Sequence, residues 1–87
     1  MNIKQSYFNE TLTMVQNIIA DLTGNELEDV DPTSNLEDDL GITEIDLKRI
    51  IQVINSDFDL ELDINDLTDI ETVAELATLI HDESELS

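Results

Sequence analysis

Carboxylates supply almost all of the chemistry available to this sequence. Its 87 residues include 22 Asp or Glu but only 3 Lys or Arg, one His and no Cys. Pairs of carboxylates that could act as acid and base occur throughout so acidic a chain, so their presence does not indicate catalysis. A lone histidine such as His81 is more often a helix-end or surface residue than a catalyst. Since there is no Gly-rich phosphate loop either, we expect no enzymatic activity and no catalytic residue.

One acidic stretch, residues 57–63, has the alternating spacing with which calcium-binding loops begin. Leu62 stands where such a loop requires glycine, and Thr68 stands where it requires a bidentate glutamate. We therefore expect weak, nonspecific binding of divalent cations at most, and no specific metal site. The carboxylates concerned are those of Asp57, Asp59, Glu61 and Asp63.

The formal net charge of −19 restricts the partners of the protein. Like charges repel, which excludes nucleic acid and anionic membrane surfaces as ordinary partners. No apolar run approaches the roughly 20 residues that span a bilayer. Residues 1–4 lack the basic-then-apolar pattern of a signal peptide, and the lack of cysteine suits a reducing compartment. We expect a soluble, cytoplasmic monomer that does not insert into membranes.

Apolar residues at helical spacing predict a first amphipathic helix from about Ser6 to Thr23, after frayed residues 1–5. Gly24 is expected to end this helix in a left-handed conformation. A long connection follows over residues 26–39, and Pro32 forbids a continuous helix through it. Long loops in compact domains are functional or anchored, so we expect the isolated apolar residues of this one to anchor it. These residues are Leu27, Val30 and Leu36.

A second amphipathic helix is predicted from Glu44 to Phe58. Thr43 followed by Asp46 is typical of a helix start, and Gly41 allows a sharp turn just before it. The expected inward face carries Leu47, Ile50, Ile51, Ile54 and Phe58, and the expected outward face carries Ile45, Lys48, Arg49, Gln52, Val53 and Ser56.

Polar and apolar residues alternate over residues 57–64, which is the period of a strand. One strand has no partner to pair with, so we interpret this segment as an extended loop. Its apolar side chains should face the helices, and a short third helix is expected over residues 66–70. The inward-facing residues are Leu60, Leu62 and Ile64.

Thr72 and Glu75 have the spacing of a capping box at the start of the last helix. We expect His81 in the last turn of this helix and a loose acidic tail over residues 82–87. Three main helices and one short helix, with a long first loop, make a small all-α four-helix bundle. The whole of residues 1–87 is expected to be one domain with its core at about residues 8–80. The inner face of the last helix is predicted to carry Val73, Leu76, Ala77 and Ile80.

The segment Leu40-Gly41-Ile42-Thr43-Glu44-Ile45 resembles the attachment site of acyl and peptidyl carrier proteins. That family reads Leu-Gly, two residues, then a serine followed by Leu or Met and an amphipathic helix. Leu40-Gly41 is present and Ile45 fits the apolar residue after the serine, but Glu44 occupies the serine position. Helix order and loop lengths are also similar over about residues 8–80, which implies the carrier-protein fold.

In that family the serine hydroxyl accepts 4′-phosphopantetheine from coenzyme A, and this flexible arm carries an acyl thioester. A glutamate cannot form the phosphodiester, so the resemblance implies no cofactor for the sequence as written, and phosphopantetheine only if residue 44 were serine. Natural loss of the site and a laboratory substitution at Glu44 both remain open. An acidic residue there also suits the first turn of a helix, where it gains about 0.3–1 kcal/mol from the helix dipole. Thr43, Ser34 and Ser56 lack the family context, and we do not expect them to be modified.

The resemblance further implies that biosynthetic or acyl-transfer enzymes dock on the second helix. Ile45 keeps the apolar contact point next to the attachment position, whereas Lys48 and Arg49 place cations where the family tends to be apolar or acidic. These two cations could instead pair with Glu44 and Asp46 on the same helix, at about 0.2–0.5 kcal/mol per pair. The residues predicted to contact a partner are Ile42, Ile45, Lys48, Arg49, Gln52 and Val53.

Two functions follow from these observations. The first is an acyl carrier protein-like domain of fatty-acid or polyketide-type biosynthesis, which docks to partner enzymes through its second helix. With Glu44 at the attachment position, such a domain is not acylatable as written. The alternative is a carrier-like module that carries nothing and binds one protein in a regulatory or structural role.

Overall fold

Three α-helices form the protein, a computed structural model of which describes residues 3–86, with side chains over residues 7–85. The helices are α1 (Ile3–Thr23), α2 (Glu44–Phe58) and α3 (Val73–Leu86), with short 3-10 turns at Leu27–Asp29 and Ile64–Leu67. Residues 3–86 contain no strand, only an isolated antiparallel bridge between Asn35 and Thr72. The predicted all-α small bundle is confirmed.

Helix α1 begins at Ile3, so the prediction that residues 3–5 are frayed is wrong. These residues include no Gly or Pro to stop the helix, and it continues back through them. Met1 and Asn2 lie outside the described residues. At the other end Gly24 has a φ of 77°, and its N–H donates to the carbonyl of Ala20 at 3.1 Å. The predicted left-handed end of the helix is confirmed.

The core lies where the inner faces of the three helices meet. On α1, Val15 and Ile19 are fully buried, and on α2, Ile50 and Ile54 are fully buried. A fully buried side chain of this size contributes about 1.5–3 kcal/mol relative to an exposed one. The predicted inner face of α3 is also confirmed, since its four residues have no exposed surface: Val73, Leu76, Ala77 and Ile80.

The long connection is anchored by two of its three isolated apolar residues. Val30 is fully buried and Leu36 is 5% exposed, as predicted, but Leu27 is 50% exposed. Leu27 opens the first 3-10 turn, whereas Val30 follows that turn and takes the core position. The side-chain amide of Gln16 on α1 holds the same point by donating to the carbonyl of Val30 at 2.8 Å.

The segment between α2 and α3 is extended, and its apolar side chains pack against the core as predicted. The short helical turn lies at Ile64–Leu67 instead of residues 66–70. Asp63 explains the shift, because its carboxylate accepts from the N–H of Asn65 at 3.3 Å and its own N–H donates to Asp66 at 2.9 Å. This local capping box starts the turn earlier than apolar spacing predicts.

Helix α3 begins with the predicted capping box. Thr72 Oγ1 accepts from the N–H of Glu75 at 3.2 Å, and the Glu75 carboxylate accepts from the N–H of Thr72 at 3.0 Å. The helix continues to Leu86, so the expectation of a loose tail is wrong for residues 82–86, and His81 is not in the last turn. Ser87 lies outside the described residues. An ion-pair contact of 3.2 Å between His81 Nε2 and Glu85, one turn apart, supports the extension.

Candidate functional site

The site is built at the start of α2, where the chain leaves the long connection. Gly41 has a φ of 65°, a left-handed conformation that side chains with a Cβ atom rarely adopt. Thr43 then caps α2: its hydroxyl accepts from the N–H of Asp46 at 3.2 Å, and the Asp46 carboxylate accepts from the N–H of Thr43 at 3.2 Å. This reciprocal pair fixes the first turn, and Glu44 is its first residue.

Asn35 organises the loop that leads into the site. Its Oδ1 accepts from the N–H groups of Glu37 and Asp38 at 3.0 and 2.8 Å. Its own N–H donates to the carboxylate of Asp39 at 2.7 Å. Sequence reasoning missed this role. The available signal was an asparagine opening a polar run, since Asn side chains commonly bind backbone groups two or three residues ahead.

Backbone hydrogen bonds attach the same loop to the start of α3. The N–H of Leu36 donates to the carbonyl of Glu71 at 2.8 Å, and the N–H of Val73 donates to the carbonyl of Ser34 at 3.2 Å. A third bond joins Ala74 N–H to the Pro32 carbonyl at 2.9 Å. The loop is therefore held on both sides, by the core and by α3.

Glu44 and Ile45 are both exposed at the beginning of α2. Ile45 is 72% exposed, the largest value among the exposed large apolar side chains of the described residues. An isoleucine exposed to that degree gains nothing from the fold of the free protein. The pair places a carboxylate and an apolar side chain side by side on the surface.

Ile42 does not join this surface, contrary to the prediction for it. It is only 6% exposed, and its N–H donates to the carbonyl of Leu36 at 2.9 Å. Ile42 precedes the helix, so the turn at Gly41 directs its side chain into the core. The sequence placed it by proximity to Glu44, which does not determine the direction of a side chain outside a helix.

The other predicted contact residues follow Ile45 along α2. Lys48, Arg49 and Gln52 are exposed, whereas Val53 is half-buried and packs against the core. Lys48 and Arg49 thus form one basic face with Ile45 beside it, and Val53 lies at its margin. Their role in binding a partner stays a prediction.

The expected pairs of Lys48 with Glu44 and of Arg49 with Asp46 are not formed. Across residues 7–85 the salt bridge present is that of His81 with Glu85. Asp46 is instead engaged by the N–H of Thr43, and an exposed pair gains little over the hydration of its two charges. Both cations on α2 are therefore available to another molecule.

A groove of about 630 Å³ lies beside Glu44, between the loop, the start of α2 and the second 3-10 turn. Its base is apolar, with Leu36, Ile42 and Leu67 each less than a tenth exposed. Four carboxylates line its edge, those of Glu37, Asp38, Glu44 and Glu71. Three of these four lie outside the residues that sequence reasoning selected, since loop folding alone brings them together.

The described residues do not include a hydroxyl suited to a phosphodiester at position 44. Glu44 has a carboxylate, which cannot make that bond. Ser34 is occupied, because its Oγ donates to the carbonyl of Asp29 at 3.1 Å and accepts from the N–H of Asp31 at 3.2 Å. Thr43 is used as the cap of α2. Position 44 as it stands therefore does not fit a phosphopantetheine arm.

Asp31 is the one carboxylate near the site with a shifted pKa. The hydroxyl of Thr33 and then its N–H donate to this carboxylate, the N–H at 3.0 Å. Both bonds favour the charged form and hold the pKa of Asp31 below its ordinary value. They fix the Asp31-Pro32 turn that separates the first 3-10 turn from the site loop.

Metal binding and membrane spanning can be tested on the same coordinates. Over the described residues, no three His, Cys, Asp or Glu side chains are grouped closely enough to hold a metal ion. The apolar length needed to cross a bilayer is also not reached by any helix in residues 3–86. The many acidic side chains are thus spread over the surface.

The helical bundle, its long ordered loop and the exposed start of α2 define a small carrier-type domain. The sequence matches the family model described as Phosphopantetheine attachment site over residues 14–80. The match covers most of the 87 residues, and the chain belongs to this family. Its general role is that of a carrier domain, which presents a group to enzymes and is not itself catalytic.

Proposed function

We propose that this protein is a carrier-family domain of fatty-acid or polyketide-type biosynthesis that presents α2 to partner enzymes without carrying an arm. The observation that supports the proposal most is the pairing of Glu44 with the 72%-exposed Ile45 at the start of α2. The family match places the chain among carriers, and the carboxylate at residue 44 removes the nucleophilic hydroxyl. What remains is the contact surface.

In this proposal the docking surface consists of Ile45, Lys48, Arg49 and Gln52, with Val53 at its margin. An apolar side chain exposed beside unpaired cations is suited to a partner with an apolar pocket and acidic or mixed charge around it. Ile42 is not included, because it is buried. We place the protein in the cytoplasm as a monomeric single domain.

A second candidate is a regulatory or structural module that binds one protein and takes no part in acyl transfer. The unpaired Lys48 and Arg49 favour it, since they alter the charge of the helix that other carriers use for docking. The two candidates differ in whether enzymes that act on carriers still recognise α2.

Phosphopantetheinylation separates them. The chain and its Glu44→Ser variant are incubated with coenzyme A and a promiscuous phosphopantetheinyl transferase, and intact mass is measured. We expect a mass gain on Glu44→Ser only. A gain on the unchanged chain would overturn the assignment of Glu44, and refusal of Glu44→Ser would favour the second candidate.

A pair of matched variants then tests the docking surface. Ile45→Ser and Leu27→Ser each remove an exposed apolar side chain, but only Ile45 lies on α2. In the Glu44→Ser background, Ile45→Ser should slow modification by about tenfold, the loss expected for an interface contact of about 1–2 kcal/mol. Leu27→Ser should leave the rate unchanged, and an equal effect of both would refute docking through α2.

A further inference from the structure

The groove beside Glu44 has the dimensions of a site for a small ligand. Its volume is about 630 Å³, within the range of about 300–1,000 Å³ typical of ligand pockets. Leu36, Ile42 and Leu67 form a base that is 3–6% exposed. The half-buried side chains that line it further are Leu47, Ile64 and Ile70.

The charge at the edge of this groove has one sign. Glu37, Asp38, Glu44 and Glu71 are all exposed there, and no Lys, Arg or His is among the lining residues. None of the four takes part in a salt bridge within residues 7–85. The edge therefore favours a cation above an apolar base.

Backbone groups of the loop are already used and offer little to a peptide or an anion. The N–H groups of Glu37 and Asp38 donate to Asn35, and that of Ile42 donates to Leu36. A peptide main chain would find few free donors along this wall. Recognition would depend on charge and apolar contact alone.

We propose that this groove binds a small amphiphilic cation, an ammonium group on an unbranched apolar stem. The stem would lie on the Leu36–Ile42–Leu67 base, and the ammonium would lie among the carboxylates of Glu44 and Glu71. This site is separate from the docking surface of α2, and it needs neither an arm at residue 44 nor a partner enzyme.

Titration of the ¹⁵N-labelled protein with octylamine, octanoate and butylamine tests the proposal by amide chemical shifts. We expect octylamine to shift the amides of Leu36, Ile42 and Leu47 in a saturable way. Octanoate has the same stem and the opposite charge, and it should bind at least about tenfold more weakly because of the carboxylate edge. Butylamine should also bind at least about tenfold more weakly, since each CH₂ removed costs up to about 0.8 kcal/mol of burial.

Two double variants with the same change in net charge separate the groove from the general acidity of the protein. Glu44→Gln with Glu71→Gln should weaken octylamine binding by about fivefold, as expected for the loss of two partly hydrated charge contacts. Glu26→Gln with Glu28→Gln alters exposed carboxylates outside the groove and should weaken binding by less than about twofold.

Three outcomes would overturn the cation site: octanoate binding as tightly as octylamine, equal losses in both double variants, or amide shifts away from the groove. None of them bears on the mass test of Glu44→Ser or on the Ile45→Ser comparison. Failure of this site is therefore distinguishable from failure of the proposed function.

Discussion

The side-chain amide of Asn55 on α2 forms two hydrogen bonds with the backbone of Leu62, in the extended segment that follows. Asn55 Nδ2 donates to the carbonyl of Leu62 at 2.9 Å, and Asn55 Oδ1 accepts from the N–H of Leu62 at 2.9 Å. Both bonds are partly buried. They replace the neighbouring strand that this segment lacks.

Asn55→Ala should lower the free energy of unfolding by about 1–3 kcal/mol, because two partly buried backbone groups lose their partners. Chemical denaturation monitored by circular dichroism measures the change. Asn65→Ala serves as the control, since Asn65 is exposed and its side chain makes no hydrogen bond. Equal effects of the two substitutions would show that Asn55 does not anchor the segment.

Asp59 ends α2 with a φ of 56°, the one left-handed residue other than glycine within residues 3–86. Asp59→Gly should raise the free energy of unfolding by about 0.5–1 kcal/mol, because glycine adopts this conformation without strain. Asp57→Gly, inside the same helix, should lower it by about 1 kcal/mol. Destabilisation by Asp59→Gly would mean that its carboxylate contributes more than its backbone costs.

Gly41 sets the turn into the site with open space around its Cα, since a Cβ there would meet no atom within 4 Å. Gly41→Ala should therefore cost about 1–2 kcal/mol of stability from backbone strain alone. Gly41→Asn should cost less, because asparagine tolerates the left-handed region. Thermal unfolding of the three proteins should rank them Gly, Asn, Ala, and an alanine variant as stable as the parent would contradict the strain.

The lowered pKa of Asp31 depends on Thr33. Since folding lowers this pKa, the stabilisation is complete above the unfolded value of about 3.9 and is lost as the pH falls through the folded value. Thr33→Val removes the hydroxyl donor and should raise the pKa of Asp31 towards its ordinary value in an NMR titration of the side-chain carboxyl. Ser34→Ala is the control, because Ser34 contacts the N–H of Asp31 and not its carboxylate. A pKa unchanged in Thr33→Val would refute the assigned cause.

Added salt should stabilise this protein. The net charge is −19, and within residues 7–85 the salt bridge formed is that of His81 with Glu85. Screening weakens the repulsion between carboxylates, and a gain of about 1 kcal/mol would raise Tm by roughly 4–8 °C. Scanning calorimetry between low and moderate sodium chloride, with magnesium chloride at matched ionic strength, measures the effect. A flat Tm would show that the carboxylates do not repel one another significantly.

The helices and their caps could be predicted from the sequence because the signals are local. Thr43 with Asp46 and Thr72 with Glu75 each act over three residues, and the bounds of α2 follow from its cap and its apolar stripe. The extension of α3 to Leu86 was missed because its acidic composition suggested a tail. Residues 82–86 include no helix breaker, and the pair of His81 with Glu85 favours the helix.

The site could be located from the sequence, but its surroundings could not. Glu44 and Ile45 are exposed where the motif places them, whereas the burial of Ile42 depends on the path of the loop. Asn35 and Asn55 act on backbone groups that only the fold brings near. The groove edge joins residues from both sides of α2 in sequence, and no local pattern predicts that arrangement.

The bridge between Asn35 and Thr72 has a consequence for the order of folding. All of α2 lies between these residues in the sequence, so their backbone bonds close a large loop and form only when α3 has docked. The N–H groups of Leu36 and Val73 belong to one cooperative unit and should exchange with solvent together. The entrance to α2 is thus completed by the last helix of the chain, and a nascent chain ending before residue 72 would have the motif without its shape.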